Sequence, residues 1–181
     1  MVAPAQPISN GMKYFAVTFF IIIFSAFGCL YLIKAGLYPT AIINSKIVWA
    51  YSLNKETKAA AYYYQKTTGA SPDSREIKRA ALENVIEKIL IAEKLGRELK
   101  ETELTASIKN SLDAHLNKPQ LEPAAALLYG LNLKDFYNLV LVPQAEKEIL
   151  ENKLKEKGED FNGWLQKAKQ SANIVYITKE F

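Results

Sequence analysis

The chain has 181 residues, with 23 Lys and Arg against 19 Asp and Glu. Two of the basic residues, Lys13 and Lys34, flank an uncharged apolar run, and all 19 acidic residues come after Ala35, so the rest of the chain has 21 basic residues against 19 acidic ones, a net charge of about +2. Both signs are mixed along it. Because nucleic-acid-binding surfaces concentrate positive charge, this distribution argues against a nucleic-acid partner.

The apolar run YFAVTFFIIIFSAFGCLYLI extends from residue 14 to residue 33 without a charge. With a helical rise of 1.5 Å per residue, 20 residues span about 30 Å, the thickness of the hydrocarbon core of a bilayer. The run therefore predicts a transmembrane anchor or a secretory signal at residues 14–33 that contacts the lipid bilayer. We expect residues 1–13 to be a disordered N-terminus, and Met12 is a second possible start.

A cleaved signal is the alternative to a retained anchor. Ala26, Phe27 and Gly28 form the small-x-small pattern of a cleavage site, and the next residue is Cys29, as in a lipoprotein. The apolar run continues beyond this cysteine to Ile33, whereas a mature N-terminus is usually polar. This continuation favours a retained anchor over cleavage or lipidation.

Basic residues lie on both sides of the run, with Lys13 before it and Lys34 and Lys46 after it, so the positive-inside rule does not fix its orientation. A short N-terminus before a first apolar segment commonly stays inside. We therefore expect a single-pass membrane protein whose domain, residues 36–181, lies outside the cytoplasm. Cys29 is the single cysteine, so an intramolecular disulfide is impossible.

The domain is predicted to be mostly α-helical. Apolar residues recur at helical spacing from Ile77 to Leu90, after a capping-box-like start at Asp73. Gly130 is placed to close a helix, and Asn132 and Asp160 are placed to cap two others. Pro143 is expected to kink the chain or to start a new helix.

Two segments have strand character instead. One is TAIINSKIVW (40–49), with a possible turn at Asn44-Ser45, and the other is the alternating NIVYI near the C-terminus. We expect the stretch 41–48 to pair with 174–177 in a small two-stranded β ribbon. Packed on helices, such a ribbon would close an irregular helical domain by joining its two ends.

The order of these segments resembles the SurA N-terminal domain family, a helical chaperone module of extracytoplasmic foldases of the SurA, PrsA and PpiD type. The stretch AIINSKIV (41–48) resembles the first strand of that module, and ALENVIEKILIAEKLGRELKETEL (81–104) resembles its helix pair. YGLNLKDFYNLVLVPQAEKEIL (129–150) resembles its long helix, and FNGWLQKAKQSANIVYI (161–177) resembles its closing helix and strand. The resemblance implies that the domain binds non-native polypeptides.

The chain departs from this pattern where such foldases commonly carry a parvulin-type prolyl isomerase domain. Only Lys157-Gly158-Glu159 separates the long helix from the closing helix, and the chain has a single histidine, His115, which we interpret as an ordinary helix residue. Neither a metal-ligand cluster nor a phosphate-binding loop is evident. We therefore expect neither catalytic activity nor a cofactor.

The candidate polypeptide-binding residues are apolar. Three consecutive tyrosines cannot all face one core, because successive helical positions are about 100° apart, and the stretch AALLYGL (125–131) is apolar on more than one face. The alternative is that these side chains pack against other helices or a dimer partner. The residues that we select are Tyr62, Tyr63, Tyr64, Leu127, Leu128 and Tyr129.

The sequence thus predicts a membrane-anchored extracytoplasmic chaperone-like domain that binds unfolded or newly exported polypeptides through apolar surfaces, without isomerase activity. The alternative is a structural or assembly subunit. In that case the same faces would bind one dedicated partner in a membrane complex, or a second copy of the chain.

Overall fold

The computed structural model describes residues 10–116 and 121–178, without the side chains of residues 10–17 and 114–116. The side chain of His115 and most of the N-terminal stretch that was expected to be disordered therefore lie outside the described part. The chain divides into two compact units, Met1–Tyr38 and Pro39–Phe181.

The first unit contains one helix, α1, at Asn10–Lys34. This helix begins within the stretch 1–13 and includes residues 10–13. Just after the helix, Gly36 has a φ of 68°. The amide of Leu37 donates to the carbonyl of Leu32 across 2.9 Å. This is the hydrogen bond that a left-handed glycine allows at a helix C-terminus.

Among the residues whose side chains are described, no helix has both the length and the apolar character that a membrane crossing requires. Residues 14–17 of the predicted segment lie outside those described side chains.

The second unit contains a three-stranded antiparallel sheet, whereas a two-stranded ribbon was expected. The strands are β1 at Pro39–Ile43, β2 at Lys46–Trp49 and β3 at Ile174–Tyr176, in the order β2-β1-β3. The stretch 41–48 is a hairpin because Asn44-Ser45 form a two-residue turn within it. The predicted pairing of the two chain ends is confirmed, since Ala41 pairs with Tyr176 and Ile43 with Ile174.

Asn44 connects the hairpin turn to the segment before β3 and to α3. Its φ of 53° lies in the left-handed region that asparagine tolerates better than most residues. Its amide donates to the carbonyl of Asn173 across 2.7 Å, and its Oδ1 accepts from the amide of Asn173 across 3.1 Å. Its Nδ2 donates to Oε2 of Glu93 across 2.7 Å. The turn thus holds both the C-terminal strand and the longest helix of the domain.

The first helices of the domain are α2 at Ala50–Thr68, α3 at Ser74–Glu98 and α4 at Glu101–Leu116. The cap predicted at Asp73 is confirmed, because its Oδ1 accepts from the amides of Arg75 and Glu76. Helix α3 therefore starts where the sequence indicates.

The second half of the domain is less regular, since two π-helical segments interrupt its helices. In chain order its elements are α5 (Leu121–Ala124), π1 (Ala125–Tyr129), α6 (Leu133–Phe136), π2 (Tyr137–Leu141), α7 (Val142–Glu156) and α8 (Phe161–Ser171). Gly130, Asn132 and Asp160 take the cap positions predicted for them. Pro143 lies in the first turn of α7, directly after π2.

Helix α3 is central to the domain because it contributes to two of its three apolar clusters. Its first half packs with the inner face of the sheet and with Leu53 of α2, and its second half packs with α7 and Phe161. The third cluster lies between α2 and the π-helical region, and contains Ala59, Ala125 and Phe136.

Substitutions of Asn44 test how much the turn contributes to stability. Asn44→Gly keeps the positive φ and loses the two side-chain hydrogen bonds, so we expect the free energy of unfolding to fall by about 1–2 kcal/mol. Asn44→Ala also strains the backbone, which should cost roughly 1 kcal/mol more. Urea denaturation of both variants measures the two contributions, and equal stability of Asn44→Ala and the native chain would contradict this role.

Candidate functional site

The candidate site is built where the second half of α2 meets π1. The ring of Tyr63 stacks on that of Tyr129, with centroids 4.9 Å apart and planes inclined by 19°. The ring of Tyr129 in turn contacts that of Phe136, at 5.2 Å between centroids. Residues about 66 positions apart in sequence thus form one continuous aromatic surface.

Tyr62 lies against the backbone at Gly130. A β-carbon on this glycine would approach the Cγ and Cδ2 of Tyr62 to 3.2 Å, and the φ of Gly130 is 63°. The glycine therefore serves two purposes, since it ends π1 in a left-handed conformation and makes room for the tyrosine ring.

The predicted residues divide by exposure. Tyr62 and Tyr129 are half-buried against other elements, as the packing alternative anticipates. The other four are exposed: Leu127 by 64%, Tyr63 by 42%, Tyr64 by 41% and Leu128 by 41%. We call the six residues together the aromatic patch: Tyr62, Tyr63, Tyr64, Leu127, Leu128 and Tyr129.

A groove of about 320 Å³ lies beside the aromatic patch, between α2, α3, π2 and α7. Its volume is at the lower end of the range for small-ligand sites. Sequence patterns did not reveal it, because residues of five separate elements, α2, α3, π1, π2 and α7, line it. Its apolar lining includes Ala59, Tyr63, Ile91, Tyr129, Leu139 and Val140.

A buried ion pair forms part of the groove wall. The Nζ of Lys88 lies 2.6 Å from Oε1 of Glu56, with the two side chains 19% and 10% exposed. The same Nζ donates to the carbonyl of Leu139 across 2.6 Å. One lysine of α3 thus connects α2 to π2.

The carbonyl of Leu139 is available because of Pro143. In an α-helix this carbonyl would accept from the amide of the fourth residue further on, and residue 143 has no N–H. The backbone takes a π-helical form here, with the amide of Val142 donating to the carbonyl of Tyr137. Lys88 therefore supplies a donor that the proline removes.

Electrostatic effects around the patch are local. Burial raises the pKa of Tyr129, and the neighbouring Tyr63 adds to this shift. A hydrogen bond from Lys55, whose Nζ lies 2.6 Å from Oδ1 of Asp135, lowers the pKa of that carboxyl and joins α2 to α6. The Lys55–Asp135 ion pair stabilises the contact between α2 and α6, and the raised pKa keeps Tyr129 a neutral phenol near neutral pH.

In the part of the chain that the structure describes, His, Cys, Asp and Glu side chains do not converge in a group of three or more that would hold a metal ion. The site offers apolar contact, hydrogen-bonding tyrosines and internally paired charges. Such a surface is suited to binding a flexible apolar ligand.

Comparison with family models, curated proteins and solved structures gives no significant match. The resemblance to the SurA N-terminal domain therefore remains an expectation based on the order of motifs in this chain.

Gly130→Ala tests how the patch is positioned, and Gly69→Ala is its matched control. Both glycines have a positive φ, but only Gly130 faces another side chain, since an added β-carbon at Gly69 meets open space. We expect roughly 1–2 kcal/mol of backbone strain in both variants. Gly130→Ala should cost about 1 kcal/mol more, because Tyr62 must move. Equal losses on urea denaturation would show that the Tyr62 contact is unimportant.

Lys88→Met tests the buried ion pair. Removal of the ammonium leaves Glu56 and the carbonyl of Leu139 buried without it, so we expect a loss of about 3 kcal/mol in the free energy of unfolding. The double variant Lys88→Met with Glu56→Leu should recover much of this loss, because no unpaired charge remains.

The control is Lys169→Met, which breaks the exposed Lys169–Glu83 pair, whose side chains are 32% and 54% exposed. We expect a change of about 1 kcal/mol or less for this variant. Similar losses for Lys88→Met and Lys169→Met would contradict the special role of the buried pair.

Proposed function

We propose that residues 36–181 form a chaperone-like domain that binds non-native or newly exported polypeptides, held at the outer surface of a bacterial membrane by residues 14–33. The proposal includes no isomerase activity and no cofactor. It rests on the SurA-like order of motifs together with the aromatic patch.

The observation that carries the proposal is the exposure of the patch next to a groove. Leu127 has 64% of its surface exposed, and Tyr63 both stacks on Tyr129 and lines the groove. Exposed aromatic and aliphatic side chains grouped in this way are typical of protein-binding surfaces. The groove is small enough to suit one or a few side chains of an extended chain.

The charges near the groove favour apolar clients over charged ones. Lys88 is paired with Glu56, and Nζ of Lys147 lies 3.5 Å from Oε1 of Glu87. Because these charges are neutralised within the domain, recognition would depend on apolar contact and shape. A binding surface of this kind accepts many sequences, as a chaperone requires.

The architecture supports the same proposal. The first and last strands of the domain pair with each other, as the SurA-like module would require. Helix α7 ends at Glu156 and α8 begins at Phe161, so the connection in which related foldases carry an isomerase domain is short here. The anchor is supported by the 20-residue uncharged run.

The decisive experiment measures suppression of aggregation. Residues 36–181, checked for helicity by circular dichroism, are added to a chemically denatured client on dilution, and light scattering is followed. We expect suppression at a several-fold molar excess. Leu127→Ser with Leu128→Ser should abolish most of it, because these side chains are exposed and their loss removes binding surface.

The matched control is Ile47→Ser with Val175→Ser, which removes two apolar side chains, each 48% exposed, from the sheet instead of the patch. This control should suppress aggregation as well as the native domain does. If the native domain fails to suppress aggregation, the chaperone proposal is wrong. Crosslinking in cells to a single stoichiometric protein would favour the alternative of an assembly subunit.

A further inference from the structure

The outward side of the sheet is a second apolar surface, separate from the aromatic patch. Cross-strand pairing places Ile42 between Ile47 and Val175. Strand alternation adds Trp49 beside Ile47 and residue 177 beside Val175. The opposite side carries Ala41, Ile43 and Val48, which are buried in the first apolar cluster. We call the outward residues the outer sheet face: Ile42, Ile47, Trp49, Val175 and Ile177.

This face differs from the solvent side of an ordinary antiparallel sheet, where polar side chains alternate with buried ones. Ile47 and Val175 are each 48% exposed, Ile177 46% and Trp49 44%. Thr40, at the irregularity in the pairing of β1 with β2, is only 4% exposed, and its hydroxyl donates to the carbonyl of Val48. The outer sheet face therefore offers an incoming surface almost nothing polar.

We infer that the outer sheet face lies on the lipid headgroup region of the bilayer that residues 14–33 enter. This inference rests on the anchor in the proposed function. Five residues, 34–38, separate the apolar run from β1, so the chain between them reaches at most about 20 Å. The sheet is thus tied close to the membrane surface.

The charge of this region suits an anionic lipid surface. The first acidic residue of the chain is Glu56, so α1, β1 and β2 carry none, and β3 carries none either. Lys34 lies directly after the apolar run, and Lys46, at the turn end of β2, alternates to the side of Val48. Basic residues beside a membrane segment are attracted to anionic headgroups.

Trp49 also favours lipid as the surface that the outer sheet face contacts. Tryptophan is enriched at membrane–water interfaces, where its ring meets acyl chains and its N–H meets water. The flanking β-branched residues form a flat apolar surface, which suits a bilayer better than a narrow peptide would.

The test uses the full chain in phosphatidylcholine vesicles that contain phosphatidylglycerol and a lipid brominated near the headgroup end of its acyl chains. The two tryptophans are Trp49 and Trp164, and Trp164 packs against the domain's apolar clusters. We expect the brominated lipid to quench the fluorescence of the native chain and this quenching to be lost in Trp49→Phe, which retains only Trp164.

Two double variants locate the contact. Ile47→Lys with Val175→Lys should lose the quenching while the protein still floats with the vesicles, because the anchor is unchanged. Leu127→Lys with Leu128→Lys, on the aromatic patch, should keep the quenching. Circular dichroism confirms that each variant is folded.

The possible results distinguish failure of this inference from failure of the anchor proposal. If the chain floats with vesicles after a carbonate wash and Trp49 is not quenched by brominated lipid, the inference is overturned. If Trp49 is then also shielded from acrylamide, the face is covered by a protein surface such as a second copy. If the chain does not float, the anchor proposal is wrong and this inference falls with it, whereas suppression of aggregation by residues 36–181 remains a separate result.

Discussion

The pairing of β1 with β3 is the constraint on which the rest of the domain depends. It joins strands that lie about 130 residues apart, and the turn residue Asn44 holds Asn173 and Glu93 at the same point. The inner face of the sheet then provides one wall of the first apolar cluster. The pairing adds to the contacts by which Phe161 and Trp164 hold α8 against the apolar clusters of α3.

The pairing of β1 with β3 also determines where the candidate site can form. Helix α3 is held by the sheet through its first half, and this places Lys88 between α2 and π2. Pro143 removes the backbone donor for Leu139, and the lysine provides one. The irregular π-helical region is therefore stabilised by tertiary contact and not by its own periodicity.

The parts of the structure that depend on residues close together in the chain could be predicted from the sequence. The caps at Asp73, Asn132 and Asp160 follow from side-chain hydrogen bonds within three residues, and a pattern of that length is visible in the sequence. The pairing of the chain ends and the turn at Asn44-Ser45 were predicted, but the stretch 41–48 was counted as one strand of the ribbon, whereas this turn divides it into β1 and β2. The groove and the Lys88–Glu56 pair were missed. The ion pair joins residues 32 positions apart, and the groove is lined by residues of several elements. Hydrophobic periodicity contains no information on such contacts.

The two exposed apolar surfaces raise a problem that the proposed membrane contact resolves. A domain with an uncovered outer sheet face and an uncovered aromatic patch would have two surfaces prone to self-association. The two surfaces also differ in kind. The sheet presents stiff β-branched side chains at fixed cross-strand positions, which suits a permanent flat contact. The patch presents tyrosines of α2 and leucines of a π-helical segment beside a groove, which suits ligands that vary in shape. Covering the first surface with lipid would leave the second as the exposed apolar surface available to clients, so the anchor would contribute to selectivity as well as to location.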